Sequence, residues 1–304
     1  MAMNSYQLFL QQLANGLTLG AIYALIALGY TMVYGVIQLI NFAHGEVFMA
    51  GAYAALFAIL LLPGVGTPWW LVFLVAVAAA VLACALLGLL IERLAYRPIR
   101  QTPRLNAFIT AIGMSLFLQN ALMLLGGPVD RQFPGIVPNT QWQLGQVTIT
   151  FLQLLIWGSS ALMMVGLQWL VMATRLGKAM RATAQDMTAC LLLGIPVNRI
   201  IAITFMLGSA FAALGGVLFG MQYGTINFHD GYLIGMKAFT AAVLGGIGNI
   251  PGAMGGGLLL GLIEGFAAGY LSAQWKNVFA FLVLVILLLC KPTGLFGERV
   301  ADRA

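Results

Sequence analysis

The sequence predicts an all-α protein: a polytopic transmembrane helical bundle of about eight to nine membrane segments. Broken or re-entrant helices and an internal, inverted repeat are part of that expectation. Three observations carry it. First, 62% of the 304 residues are hydrophobic and only 7% are charged, against roughly 25% charged in soluble domains. Second, apolar runs of 18 or more residues recur, each long enough to cross a hydrocarbon core of about 30 Å. Hydrocarbon offers the backbone no hydrogen-bond partner, so such runs are helices; a barrel would alternate over segments of about ten residues, and these do not. Third, eleven of the fourteen basic residues fall in three segments between or after the apolar runs.

Taken in order, the expected spans are about 7–35, 43–62, 69–91, 105–126, 150–173, 200–222, 237–250, 251–270 and 276–290. The first lacks a basic flank and a small-residue cleavage site, so it reads as a span and not as a removed leader. Residues 1–92 contain no Lys or Arg; the basic residues then cluster at Arg93, Arg97, Arg100 and Arg104, at Arg175, Lys178, Arg181 and Arg199, and at Lys291, Arg299 and Arg303. The positive-inside rule places all three groups in the cytoplasm, with the N-terminus outside. The external segment 127–149, with Pro128, Pro134 and Pro138, reads as a turn-rich surface loop. Trp69, Trp70, Trp142 and Trp275 read as interface anchors. At 1.5 Å per residue, 237–250 is too short to cross alone, which marks it as broken or re-entrant. Cys84, Cys190 and Cys290 have neither metal-ligand nor disulfide spacing and are expected to be buried apolar thiols.

The repeat is visible in Ile40-Asn41-Phe42-Ala43-His44-Gly45, which returns as Ile226-Asn227-Phe228-His229-Asp230-Gly231. Five spans separate the copies, which puts them in opposite orientations, a plan that transporters use around a substrate path. Polar groups at membrane depth mark pathways or interhelical bonds. Asn41, His44 and Glu46 in the first copy, Asn227, His229 and Asp230 in the second, and Glu264 are therefore candidates for a translocation path or for holding broken helices. Lys237 is a candidate partner of Glu264. For the two asparagines, turn chemistry favours the structural role. Gly257, Gly261, Gly265 and Gly269 recur every four residues on one helix face, as Gly16, Gly20 and Ala24 do in the first span. Both stripes read as close helix packing. The run Gly245–Gly252 has neither glycine-rich nucleotide-loop pattern and reads as a bend. With no zinc motif, nucleophile elbow or paired catalytic carboxylates, the chain reads as a non-enzyme with no cofactor, no metal and no nucleic-acid partner.

Residues 174–200 are too polar to span and too short to form a domain. Met180, Met187 and Leu191 fall at helical spacing with Lys178, Arg181 and Gln185 on another face, and Gly194 and Pro196 stop the helix. Such a segment either lies on anionic lipid or offers a handle to another protein. Ion-coupled transport through His44, Glu46 and Glu264, or passive conduction, are the readings in which the chain works alone.

The motifs NGLTLGAIYALIALGYTMVYG (15–35), INFAHGE (40–46), IERLAYRP (91–98), AIGMSLFLQN (111–120), RLGKAMRATAQD (175–186), LLGIP (192–196), MKAFTAAVLGGIGNIPGA (236–253) and PTGLFG (292–297) run through the whole chain. Together they resemble the high-affinity branched-chain amino-acid permease subunits of bacterial ABC importers; urea and amide importers are similar. The resemblance implies one transmembrane permease domain over 1–304 in the cytoplasmic (inner) membrane. Its implied partners are membrane lipid, a second related permease, two cytoplasmic ATPase subunits that bind the ATP, and an extracytoplasmic substrate-binding protein. It also implies that 174–200 is the cytoplasmic coupling segment. The stretch from Gly177 to Gly194 would match the family's ATPase-docking element, with contacts through Arg175, Lys178, Arg181, Ala182 and Asp186.

Overall fold

The computed structural model describes residues 5–62, 66–100, 102–291 and 293–297; Arg299 and Arg303 of the C-terminal basic group lie outside them. Among the described residues, eight helices are long and apolar enough to cross a membrane. In chain order the helices are α1 (Ser5–Ile37), α2 (His44–Leu61), α3 (Trp69–Ile91), α4 (Arg97–Ile99), α5 (Arg104–Gly126), α6 (Phe151–Ala173), α7 (Arg175–Gln185), α8 (Met187–Leu192), α9 (Val197–Tyr223), α10 (Asp230–Gly245), α11 (Ile250–Tyr270) and α12 (Lys276–Cys290). A π-helical stretch, Glu92–Tyr96, joins α3 to α4 without a break.

The bundle is organised from the inside out. The apolar window of α1 is 89% buried and that of α12 only 6%, so α1 is the central post and α12 sits at the rim. α11, α9 and α10 pack most closely on α1 and α2 packs on α9, while α3, α5, α6 and α12 are the less buried outer helices. Cys290, expected to be buried, is exposed, unlike Cys84 and Cys190; it ends the peripheral α12, where there is little protein to cover it.

Small residues set the closest crossing. A Cβ on Gly257 would lie 2.5 Å from Ala24 Cα and one on Gly265 2.7 Å from Gly16 Cα, while Gly261 backs onto Gly20 and Gly269 onto Gln12. Each step of four along α11 is matched by four backward along α1, so the two helices run antiparallel with their backbones nearly touching. Lipid tails give no hydrophobic drive for helix association, and close van der Waals packing supplies it.

Two sets of bonds mark the two ends of the bundle. Gln11 at the start of α1 accepts from Thr148 N at 2.9 Å and donates to Thr148 O at 3.2 Å, tying that end to the 127–149 segment. Arg100 donates to Glu92 at 2.6 Å and to Asn198 at 2.9 Å, tying the opposite ends of α3 and α9 together. The 127–149 segment is more ordered than a turn-rich loop: β2 (Gln141–Leu144) pairs with β3 (Val147–Thr150), and β1 (Arg131–Gln132) pairs with β4 (Thr225–Ile226).

Two expected boundaries are corrected. The short segment expected at 237–250 is α10, Asp230–Gly245. It starts earlier because Asp230 N bonds back to Asn227 O at 3.0 Å. It ends at Gly246, whose φ of +101° is left-handed backbone that suits glycine. The helix expected across 177–193 is two helices, broken at Asp186. Residues 293–297 pack on the turn after α10, where Leu295 N and Phe296 N donate to Leu244 O and Gly245 O.

Candidate functional site

The two repeat copies fold alike. His44 N donates to Asn41 O at 3.1 Å, as Asp230 N does to Asn227 O, and α2 and α10 begin at the matching positions His44 and Asp230. α2 starts beside Gly29, eight residues or about 12 Å before α1 ends, so the chain has turned back into the bundle. The two half-helices cross at their glycines. A Cβ on Gly45 would lie 2.9 Å from Gly235 Cα, and one on Gly231 would lie 2.6 Å from Glu46 Oε2. Two helix N-termini thus meet inside the protein.

Around that crossing the polar candidates divide. Asn41 accepts from Tyr96 Oη at 3.2 Å. Asn227 accepts from its neighbour His229 N at 3.0 Å and donates to Asp130 at 2.6 Å, which is turn chemistry with a cross-link. His44 is buried edge-on to Tyr30, with Nε2 unpartnered. Glu46 accepts from Ser115 at 3.3 Å through Oε1, and its Oε2 is buried without a partner. His229 is exposed and bonds Gln119 at 2.9 Å.

Glu264 is not at the crossing. It is fully buried on α11, where Lys237 Nζ donates to Oε1 at 2.7 Å and Tyr23 Oη donates to Oε2 at 2.8 Å. A buried charge is tolerable only when it is paired and hydrogen-bonded. Both oxygens of this carboxylate are satisfied, and the triad ties α10 to α1 and α11. The Lys237 partner was legible as a possibility; Tyr23, 241 residues away in sequence, was not.

In the basic segment 174–200, Thr174 caps α7 by accepting from Gly177 N at 3.1 Å. Gly177 itself is buried against the backbone carbonyls of Leu170 and Val171. Arg175, Lys178, Arg181 and Gln185 lie on the exposed face of α7, opposite Gly177, Met180 and Thr183. Ala182 is half-buried. Arg181 also donates to the Val171 carbonyl at the end of α6, a favourable place for a cation. Asp186 caps α8, accepting from Thr188 N and Ala189 N at 2.8 and 2.9 Å. Gly194, at φ +78°, closes α8. Leu192 and Leu193 then stand 84% and 79% exposed, forming an apolar tip beside a cavity of about 400 Å³ that includes Arg93, Arg97 and Arg199. Leu191 is exposed with them and not on the Met180 face, because the break at Asp186 turns α8 away.

A family profile described as "Branched-chain amino acid transport system / permease component" matches residues 12–288. The chain belongs to this permease family. The family's LivH from Escherichia coli K12, a "High-affinity branched-chain amino acid transport system permease protein", is 51% identical, with 97% of each chain covered. The BraD permease protein of Pseudomonas aeruginosa is also 51% identical, over 97% of this chain and 98% of its own. A more distant relative, the "Autoinducer 2 import system permease protein LsrC" of Klebsiella pneumoniae, is 31% identical over 61% of this chain and 55% of its own.

As a permease with eight long apolar helices, the chain is a multi-pass inner-membrane protein and a transport component. Its two polar centres are different in kind. The buried triad and the glycine seam hold the permease together, whereas the α7–α8 face is exposed and charged. Asp186 sits between these roles, and two substitutions separate them. Asp186→Ala is expected to cost about 1 kcal/mol of local stability by removing the cap, read as faster amide exchange in 187–192. Asp186→Asn is expected to keep the exchange protection, since Asn caps as well. Unchanged exchange in the alanine variant would refute the capping role.

Proposed function

We propose that this permease is the membrane subunit of an ATP-driven importer that passes branched-chain amino acids (leucine, isoleucine and valine) into the cytoplasm. The observation that carries this reading is the end-to-end similarity to relatives named for branched-chain amino acid transport. The working assembly pairs it with a second related permease, two cytoplasmic ATPase subunits and an extracytoplasmic substrate-binding protein. ATP is bound and hydrolysed by the partners, and the chain itself supplies the path.

In this reading 174–200 is the inlet for the work of hydrolysis. The exposed face with Arg175, Lys178 and Arg181, together with the apolar tip at Leu192 and Leu193, offers charge and buriable surface to an ATPase. Gly177 and Gly194 set the shape of the segment. Apolar side chains that stand in water beside basic residues are typical of a surface awaiting a partner. The half-helix crossing around Asn41, His44, Glu46, Asn227, His229 and Asp230 lies on the proposed route. There the opposed half-helices can shift against each other when the subunits rock.

Leucine uptake into proteoliposomes tests the proposal. Uptake is expected only with ATP, both ATPases, the second permease and loaded binding protein; uptake by this chain alone under a proton or sodium gradient would overturn it. Leu192→Glu is expected to cut uptake at least tenfold while leaving the permease folded, because this side chain touches little of its own subunit. Normal uptake by that variant would remove α8 from the contact. A second reading is import of urea, an amide or another amino acid; the more distant LsrC relative, named for autoinducer 2 import, favours family members serving different solutes. Uptake of that solute in place of leucine distinguishes it.

A further inference from the structure

A cavity of about 210 Å³ opens between α9, α10 and α12, on the side that carries the β1–β4 pair. That side is the outer one by the positive-inside rule. Its volume falls below the roughly 300–1,000 Å³ of sites for drug-sized ligands. Its walls combine two carboxylates, two ammonium groups and an aliphatic face, which is unusual chemistry for a membrane bundle.

The negative pole is built around Asn227. Asp130 Oδ1 accepts from Asn227 Nδ2 at 2.6 Å, and Asp230 Oδ2 accepts from Asn227 N at 2.9 Å. One asparagine thus holds both carboxylates, and the second oxygen of each has no hydrogen-bond partner among the described residues. The positive pole is Lys276, at the start of α12. Lys237 also lines the cavity, but its ammonium is already committed to Glu264 at 2.7 Å. Lys276 has no ion-pair partner among the described residues. Beside it, Asn277 Oδ1 is buried with no hydrogen-bond partner. Leu233 and Ile234 line the cavity from α10, on the same helix face as Asp230 and Lys237.

We propose that this cavity is a transit site for a free, zwitterionic α-amino acid with an aliphatic side chain. The ammonium of the substrate meets Asp130 and Asp230, its carboxylate meets Lys276, and its side chain lies on Leu233 and Ile234. The inference rests on the import reading above and deepens it by naming where the substrate pauses in this subunit. A zwitterion supplies what the cavity lacks at both poles. A cation or an anion alone would leave one pole unmatched, and unmatched charge in a low-dielectric wall is costly.

The test uses the full transporter in proteoliposomes with leucine-loaded binding protein, reading leucine uptake and ATP hydrolysis together. Lys276→Met is the lead variant because this ammonium has no structural partner to abandon. Asp130→Asn is the second, since the amide oxygen can still accept from Asn227. Each is expected to cut uptake at least tenfold with binding-protein-stimulated ATP hydrolysis within twofold of the parent. Unchanged uptake in both variants overturns the transit site. Uptake and hydrolysis falling in parallel also overturns it, placing the cavity in binding-protein docking instead. A parent complex that takes up no branched-chain amino acid overturns the import reading itself, independently of the cavity.

Discussion

Glu264→Ala is expected to destabilise the folded protein by about 3–5 kcal/mol, the cost of leaving one member of a buried ion pair unpaired. Glu264 is fully buried, with Lys237 Nζ at 2.7 Å and Tyr23 Oη at 2.8 Å. Removing the carboxylate strands an ammonium that is itself 3% exposed. It also frees a tyrosine hydroxyl whose remaining neighbour, Lys237 Nζ at 3.4 Å, is another donor. Because the triad joins α1, α10 and α11, the loss falls on the packing of the half-helix. The double variant Lys237→Met with Glu264→Met is expected to recover most of the loss, since well-packed apolar replacements of buried pairs are often neutral or better. Reversible unfolding in mixed micelles of the parent, Glu264→Ala and the double variant measures both effects. Glu264→Ala unfolding within about 0.5 kcal/mol of the parent would show that the pair does not hold the core.

Gly261→Leu is expected to abolish correct packing of α11 on α1, with protein recovered as aggregate or degraded. The side chain would have to grow into the backbone of Gly20 and Gly16. Overpacking against yielding side chains costs typically 1–3 kcal/mol. Here the obstruction is main chain, which cannot rotate aside, so the helices must separate and lose contact along the whole seam. Gly261→Ala is expected to be intermediate. Size-exclusion profiles and thermal aggregation of the purified variants read the order. A Gly261→Leu protein that assembles and runs like the parent would refute the seam as a determinant of folding.

Much of this architecture was legible before any coordinates. Spans were readable because each is a local run of residues in one solvent, and the basic residues give an expected sidedness because eleven of fourteen gather in three segments. The repeat was readable because its two copies share a backbone-bonded turn, Asn41–His44 and Asn227–Asp230, that is local chemistry. The four-residue glycine stripes stood out for the same reason. What failed to show was long-range or depended on a break. Tyr23 lies 241 residues from Glu264, and nothing near either announces the other. Asp186 read as one more charge on a continuous helix, whereas it ends α7 and caps α8, and the resulting turn exposes Leu191, Leu192 and Leu193 together. Cys290 read like the other apolar thiols because hydropathy is the same for a residue facing lipid as for one facing protein.

That last point divides what sequence and tertiary structure each decided. The residues alone determined a helical, multi-pass membrane protein and its family, because hydropathy and motif order are properties of the chain itself. Only the tertiary structure decided that α1 is the central post and α12 the rim. It likewise decided that the half-helices meet at Gly45 and Gly231, and that Asp130, Asp230 and Lys276 share one cavity. In water a buried helix face announces itself by being apolar where the other face is polar. In lipid both faces are apolar, so the pattern that would report position is missing. Small residues, paired charges and capped breaks then choose the neighbours, and those choices exist only once the helices are side by side.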